Sequence, residues 1–373
     1  MEHADAELAA AVERFSDLVD ETIAFIHAHP ELAHEEYACA GFLGQRLRGL
    51  GFAVEAPLAG LETAFRATLE GGRPGRTVAL TTLYDAVPWV PAEGGIAPVH
   101  SCGHGPIAGG VMGAAAALAE QRENLPGRIV VMGCPADEIH APGTVARGGG
   151  KLLTAAAGAW DGVDAALYAH PEPIDTAWTT SLWMRRDTAI VAGARDVAPG
   201  AAQPVLDAVA DAVRAVRGLP AGRAMLEHLE MDGDVEDGGG MVARATVLLW
   251  SEDEAGLDRL ARELREALPA RWSAGRTVPS IAPDPGVRAA VEAALKAAGR
   301  DPVADPPTLP FATDFGAVTR VVPSALVGVA GSGDWAYHTP IGEGQFASDA
   351  GNGVARGIAT VLALASRRLL VSA

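Results

Sequence analysis

The sequence predicts an α/β protein with a mixed, mostly parallel sheet between helices, plus an inserted α+β domain. Three observations carry that prediction. Short apolar segments alternate with helical ones through residues 1-180. Mixed-polarity strands and a charged helix replace that pattern between about 181 and 279. The helix and strand alternation resumes from 280 to 373. Alternating short buried strands and helices build a largely parallel sheet covered by helices. Residues 1-180 and 280-373 therefore read as one discontinuous domain, and 181-279 as its insertion. A chain of 373 residues exceeds one average domain and can bury a large core.

In chain order, residues 5–28 and 37–50 carry apolar positions at helical spacing, and Gly51 ends the second run. Phe52 to Val54 begins a strand. RTVALTTL (76–83) reads as a buried strand. GPIAGGVMGAAAALAEQ (105–121) reads as a small-residue helix, in which Gly109, Gly110 and Gly113 permit close packing. RIVVMG (128–133) is a second buried strand, a Gly-rich loop and helix fill 141–158, and VDAALYA (163–169) is a third strand. The insertion reads as a strand (181–194), a helix (204–217), two strands flanking the Gly-rich 233–240 stretch, and a charged helix (252–268). This is a β-α-β-β-α order. A Pro-rich link near 279–285 leads back to the larger domain.

Composition narrows the function classes. With 29 Lys+Arg against 47 Asp+Glu, the formal charge is −18, which repels nucleic acid and anionic membrane surfaces. Three cysteines, Cys39, Cys102 and Cys134, are not a disulfide framework. The start, MEHADAELAAAVERF, lacks the basic and apolar regions of a signal peptide. No apolar run approaches the roughly 18 residues of a membrane span. The expectation is a cytoplasmic protein whose reduced thiols can serve as metal ligands.

Chemistry-bearing residues recur where strands end. Tyr84-Asp85 follows the strand 76–83, and HSCGHG (100–105) opens the next helix. CPADE (134–138) follows the second strand, His170-Pro171 the third, and GSGDWAYHTP (331–340) a strand at 325–330. Open α/β sheets bind ligands beyond the carboxyl ends of their strands. In an extended segment Cys102 and His104, at i and i+2, point the same way and can face one cation. Alone, that pair, Glu138, His170 or His338 is weak: a lone histidine is more often a core residue, and an Asp-Glu pair more often solvated surface. Their joint placement is what raises a metal centre above the bland readings.

These residues also resemble a family. HAHPELAHEE (27–36), YDAVP (84–88), HSCGH (100–104), GCPADE (133–138), GGGK (148–151), DAALYAHP (164–171), TDFGAV (313–318) and YHTP (337–340) are similar to successive motifs of one group. It is the amidohydrolase branch of the aminoacylase and glutamate-carboxypeptidase superfamily. Hippurate hydrolase, auxin-conjugate hydrolase and aminobenzoyl-glutamate hydrolase are relatives there. The resemblance implies metal-dependent hydrolysis of an amide bond in a small N-acyl or N-aminoacyl substrate. It implies one or two divalent metal ions, zinc or manganese, held by Cys102, His104, Glu138, His170 and His338. Asp137 stands at the general-base position, and Asp85 is a second catalytic candidate. The inserted domain is expected to act as a lid and to make a homodimer. Two other readings fit the same fold: an enzyme that forms or transfers an amide bond, and a catalytically degenerate binding homologue.

The chain departs from the family pattern in four places. Asp137 replaces the usual glutamate and is one methylene shorter. Gly105 stands where an Asp or Asn is usual. The insertion lacks the family's carbonyl-polarising histidine, and Arg195 lies nearest its position. His228, the insertion's only histidine, reads as an ordinary strand residue. The segment that usually holds substrate is absent from 233–245. Arg185, Arg186 and Arg244 are candidates for a substrate carboxylate.

Overall fold

The structure is a computed structural model and describes residues 2–194, 203–233, 240–331 and 334–372. It divides into two compact units. The first is Met1–Thr180 with Ile281–Pro307 and Asp314–Ala373; the second is Ser181–Ser280 with Thr308–Thr313. No sequence signal marks that last segment. It joins the second unit through Leu182 N–H, which donates to the Phe311 carbonyl, and a bridge between Ser181 and Leu309.

In chain order the strands are β1 (Ala53–Glu55), β2 (Phe65–Glu70), β3 (Arg73–Thr82), β4 (Val87–Trp89), β5 (Ala97–Val99), β6 (Pro126–Gly133), β7 (Ala165–Glu172), β8 (Thr176–Ala177), β9 (Trp183–Ala194), β10 (Ala224–Gly233), β11 (Gly240–Ser251), β12 (Arg271–Val278) and β13 (Ser324–Ala330). Among the described residues of the first unit, seven strands form one sheet in the order β1-β2-β6-β3-β7-β13-β8. The central neighbours β6, β3, β7 and β13 are parallel, and antiparallel strands flank them on both sides. Burial explains the division. All eight residues of β7 are buried, as expected for a parallel strand covered on both faces, whereas β2 alternates buried and half-buried positions. Because the central strands run in one direction, Tyr84-Asp85, Cys134–Glu138, His170 and the segment after Ala330 leave the same sheet edge.

The helix His104–Glu120 is buried from His104 to Leu118. Its glycines are packing residues, as expected. A Cβ on Gly110 would lie 2.5 Å from Ile358 of the helix Asp349–Val371, and one on Gly113 2.7 Å from Val19.

Several local expectations are corrected. The helical run 5–28 is two helices, Glu2–Arg14 and Ser16–Ala28, separated at Phe15, whose φ of −101° and ψ of 16° leave the helical region. β7 runs on through Glu172, so His170 lies among its last paired residues, opposite Gly328, and not after them. The segment around Cys102 is not extended: Gly103 takes a left-handed φ of +88° and caps the helix that begins at His104. Only glycine suits that position, since a Cβ would also lie 2.9 Å from Pro171 Cγ.

In the second unit the order is β-α-β-β-α-β, with an antiparallel sheet β10-β11-β9-β12. The extra strand β12 carries no sequence signal because most of its residues are exposed, and a register shift interrupts its pairing between Ala274 and Thr277. The helix Glu254–Ala267 buries Leu257, Leu260, Ala261 and Leu264, a single face at helical spacing. Asp253 caps it by accepting from Gly256 N–H.

Candidate metal centre

Four segments of the first unit deliver the predicted donors. Gly103 turns the chain so that Cys102 and His104 face one region despite the helix start between them. The loop after β6 brings Glu138, and it passes through Ala136 at a φ of +58°. The end of β7 brings His170. His338, also at a φ of +58°, is fixed by its N–H donating to the Ser101 carbonyl at 2.9 Å. Left-handed backbone at two non-glycine residues here is strain that neighbouring bonds must hold in place.

The five donor side chains form a connected set. His338 Nε2 lies 3.2 Å from Cys102 Sγ and 3.5 Å from Glu138 Oε2. Cys102 Sγ lies 4.0 Å from His170 Nε2, and Glu138 Oε1 lies 3.6 Å from His104 Nε2. Ligand atoms of Cys102, Glu138 and His338 all fall within 4.8 Å of one another. Two of the donor atoms, His104 Nε2 and Glu138 Oε1, are buried with no hydrogen-bond partner. Buried polar atoms are normally satisfied, so these fit a cation as the absent partner. Thiolate, imidazole and carboxylate together suit a borderline divalent metal.

The residues behind the donors fix their orientation. His104 Nδ1–H donates to the Asp85 carbonyl at 2.7 Å, with Asp85 Oδ1 3.1 Å away. Asp85 Oδ2 accepts from Glu138 N–H at 2.8 Å. One residue thus holds two ligands, His104 by its backbone carbonyl and Glu138 by its carboxylate. His170 Nδ1–H faces the Pro171 carbonyl (2.7 Å) and Glu172 Oε1 (3.1 Å), and Tyr337 stacks on its ring. Both imidazoles therefore keep a proton on Nδ1 and turn Nε2 inward, the orientation a ligating histidine takes.

Neighbouring charges set the protonation of these donors. Burial pushes the Cys102 thiol up, but the neighbouring imidazoles of His104, His170 and His338 outweigh it and hold the thiol well below its usual range. Burial lowers the proton affinity of His170, yet Cys102 and Glu172 carry its pKa up to about 10. Burial, and then the Cys102 charge, raise the Glu138 carboxyl. A cation entering here competes with those protons, so its binding releases them.

Asp137 is adjacent. Its Oδ2 lies 3.3 Å from His104 Nε2, and its Oδ1 bonds Lys151. Burial alone would raise its pKa, but Lys151 and His104 hold it far below the ordinary value. Sequence reasoning places Lys151 and Asp314 in motifs without giving either a role. Nor does it single out Glu36, Glu172 or Tyr337. The Gly-Gly-Gly-Lys run is the signal that points to Lys151.

The arginine candidates of the second unit are engaged by acids of that unit. Arg185 on β9 bonds Asp187 at 2.8 Å and Asp258 at 3.1 Å, Arg186 bonds Glu227 at 2.6 Å, and Arg244 on β11 bonds Glu230 at 2.8 Å. His228 is an exposed residue of β10 whose Nε2 lies 3.2 Å from Glu230. Arg195 lies outside the described residues. Beside His104, Gly105 leaves a space that His27 fills: a Cβ on Gly105 would lie 2.5 Å from the His27 ring.

Comparison with known proteins adds to this geometry. The model of peptidase family M20/M25/M40 matches residues 79–355. The chain is 31% identical over 179 residues to a component of the p-aminobenzoyl-glutamate hydrolase of Escherichia coli, covering 45% of this chain and 34% of that protein. It is 31% identical over 165 residues to N-acetyl-L-cysteine deacetylase of Bacillus subtilis, covering 42% of this chain and 37% of that protein. The matched stretch thus spans well under half of either relative. The fold is shared with a dinuclear metal-binding peptidase of Bacillus subtilis (TM-score 0.68, 17% identity, 96% of this chain and 99% of that one). It is shared equally with an aminobenzoyl-glutamate utilization protein of Klebsiella pneumoniae (TM-score 0.69, 17% identity, 98% and 100%).

Proposed function

Since the chain belongs to peptidase family M20/M25/M40, we propose that it hydrolyses an amide bond in a small N-acyl or N-aminoacyl amino-acid-type substrate. Cys102, His104, Glu138, His170 and His338 would hold one or two divalent cations. One observation carries the reading: these five donors link through gaps of 3.2 to 4.0 Å, with a carboxylate, Asp137, at their side. A cation held there supplies positive charge for the amide oxygen and acidifies water. Thiolate and imidazole favour zinc, and the carboxylate admits manganese.

The side chains do the rest. Asp85 keeps His104 in one tautomer and anchors Glu138 by its N–H. Glu172 and the Pro171 carbonyl do the same for His170. Asp137 Oδ2 faces the donors and takes one proton from water as its oxygen adds to the amide carbon. That proton passes to the nitrogen, the C–N bond breaks, and a carboxylic acid and an amine leave.

Two relatives are named for aminobenzoyl-glutamate and N-acetyl-cysteine, which supports an N-acyl amino acid as substrate. Its carboxylate would fall to Arg185, Arg186 or Arg244, by exchanging an acid partner for substrate, and Arg195 would stand in for the missing carbonyl-polarising histidine as an oxyanion donor. The second unit is read as the lid and dimerisation domain. The edge strand β10, with Met225, Leu229 and Met231 exposed, supports a homodimer. The free thiol of Cys102 suits a reducing cytoplasm. No described helix is long and apolar enough to cross a membrane.

The test is Asp137→Asn, assayed with the metal-loaded protein on a panel of N-acyl amino acids. The variant should lose at least about 10²-fold in kcat and keep its metal. Full activity in the variant would remove Asp137 from the chemistry. A wild type that turns over none of the panel would overturn the hydrolytic reading.

A further inference from the structure

Lys151 contributes nothing to the donor set, yet it is fully buried and unusually constrained. Its ammonium bonds Asp137 Oδ1 and lies 2.7 Å from Asp314 Oδ1. It also sits over the Tyr168 ring at 5.3 Å. Asp314 is itself tied to the same helix, Gly150–Ala156, by accepting from Leu152 N–H at 3.1 Å. The preceding glycines make this approach possible. A Cβ on Gly149 would collide with the Asp314 carboxylate, and one on Gly150 with the Pro135 carbonyl. Gly150 N–H donates to that carbonyl at 3.0 Å, which clamps the start of the helix onto the loop carrying Asp137.

Three charges, one of them from a distant segment of the chain, therefore meet in a largely buried pocket. Burying an ammonium costs several kcal/mol, and a buried ion pair is weak evidence of a gain in stability. The arrangement has a geometric consequence. Oδ1 of Asp137 is occupied by Lys151, and only Oδ2 faces His104 Nε2, at 3.3 Å.

We propose that Lys151, backed by Asp314, is a positioning residue: it holds Asp137 by one oxygen so that the other alone faces the donor cluster. This sets the reach of a base one methylene shorter than the glutamate expected at this position. The inference rests on the hydrolytic reading, with Asp137 as base. It adds a reason for the Gly-Gly-Gly-Lys run that the donor set leaves unused.

The experiment removes the pair together, as Lys151→Met/Asp314→Asn, so that no single buried charge is stranded. Metal content is measured, and kcat and KM are read with p-aminobenzoyl-glutamate and N-acetyl-L-cysteine. The expected result is a kcat loss of about 10²-fold, the scale of a misplaced catalytic group, with KM and metal stoichiometry unchanged. Adding Asp137→Asn to this double variant should then cost about 10²-fold less than it costs the wild type. Equal losses in both backgrounds, or an unchanged kcat, would overturn the proposal. Crystal structures of metal-free wild type and double variant give a readout independent of activity. The Asp137 carboxylate should turn from its wild-type position, and an unmoved carboxylate would contradict the clamp. If wild type turns over neither probe, the substrate reading fails, and the crystal comparison alone decides the role of Lys151. Asp314→Asn alone, the milder change should the double variant not fold, should shift the same readouts in the same direction by less; no shift would contradict the backing role.

Discussion

Glu36 should make the folded protein lose stability as pH rises from about 4.5 to 7, and Glu36→Gln should abolish that loss. Its carboxylate is buried, accepting from the N–H groups of His34 and Ala136 (both 2.9 Å) and from the Thr63 hydroxyl (2.7 Å). Burial, with the Asp85 charge added, outweighs those bonds and lifts its pKa from the ordinary 4.5 to about 7. The sign follows from linkage. Between those values the native protein retains a proton that the unfolded chain releases, so the unfolded state gains as pH rises. At about 1.36 kcal/mol for each pH unit, the window amounts to about 3 kcal/mol. Glutamine keeps the acceptor for both N–H groups and does not titrate. Urea denaturation of metal-free wild type and Glu36→Gln across pH 4.5 to 8 isolates the effect, since carboxylates remote from Glu36 cancel in the difference. The variant's stability relative to wild type should grow by about 3 kcal/mol up to pH 7 and then level off. A difference that stays constant with pH would refute the argument.

Two further outcomes follow from backbone positions near the donors. Gly133→Ala places a methyl within the Phe65 ring, which stacks on Tyr84 beside Asp85. Overpacking there should cost about 1–3 kcal/mol in chemical denaturation, and an unchanged midpoint would contradict it. Gly103→Ala forces a side chain into a φ of +88° and against Pro171. It should lower stability by about 1–3 kcal/mol and weaken divalent metal binding by displacing Cys102 and His104; undiminished affinity in a calorimetric titration would contradict it.

Much of the fold and the site is legible in the sequence for a physical reason. The central strands β3, β6, β7 and β13 are buried on both faces, so they read as continuous apolar runs, and polar residues at their ends stand out. Glu138, His170 and His338 emerge that way, while Cys102 and His104 stand out in the HSCGHG segment that opens the next helix. What escapes depends on contacts the chain order hides. The edge strand β12 shows no apolar pattern because most of its residues are exposed. The Lys151–Asp137 pair closes only when the helix Gly150–Ala156 meets the loop after β6, and Asp314 arrives from a distant segment. Glu36 likewise supports Ala136 from 100 positions away. Arginines of the second unit illustrate the converse: their residue type suggests substrate, while neighbouring acids already engage Arg185 and Arg244.

The central claim is that five side chains hold divalent metal, and direct stoichiometry tests it. Protein stripped with a chelator, reloaded with zinc or manganese and freed of excess by dialysis should retain one to two equivalents by elemental analysis. Cys102→Ser/Glu138→Gln should retain far less while remaining folded. Wild type that holds no metal after supplementation, or a double variant that binds as wild type does, would contradict the account.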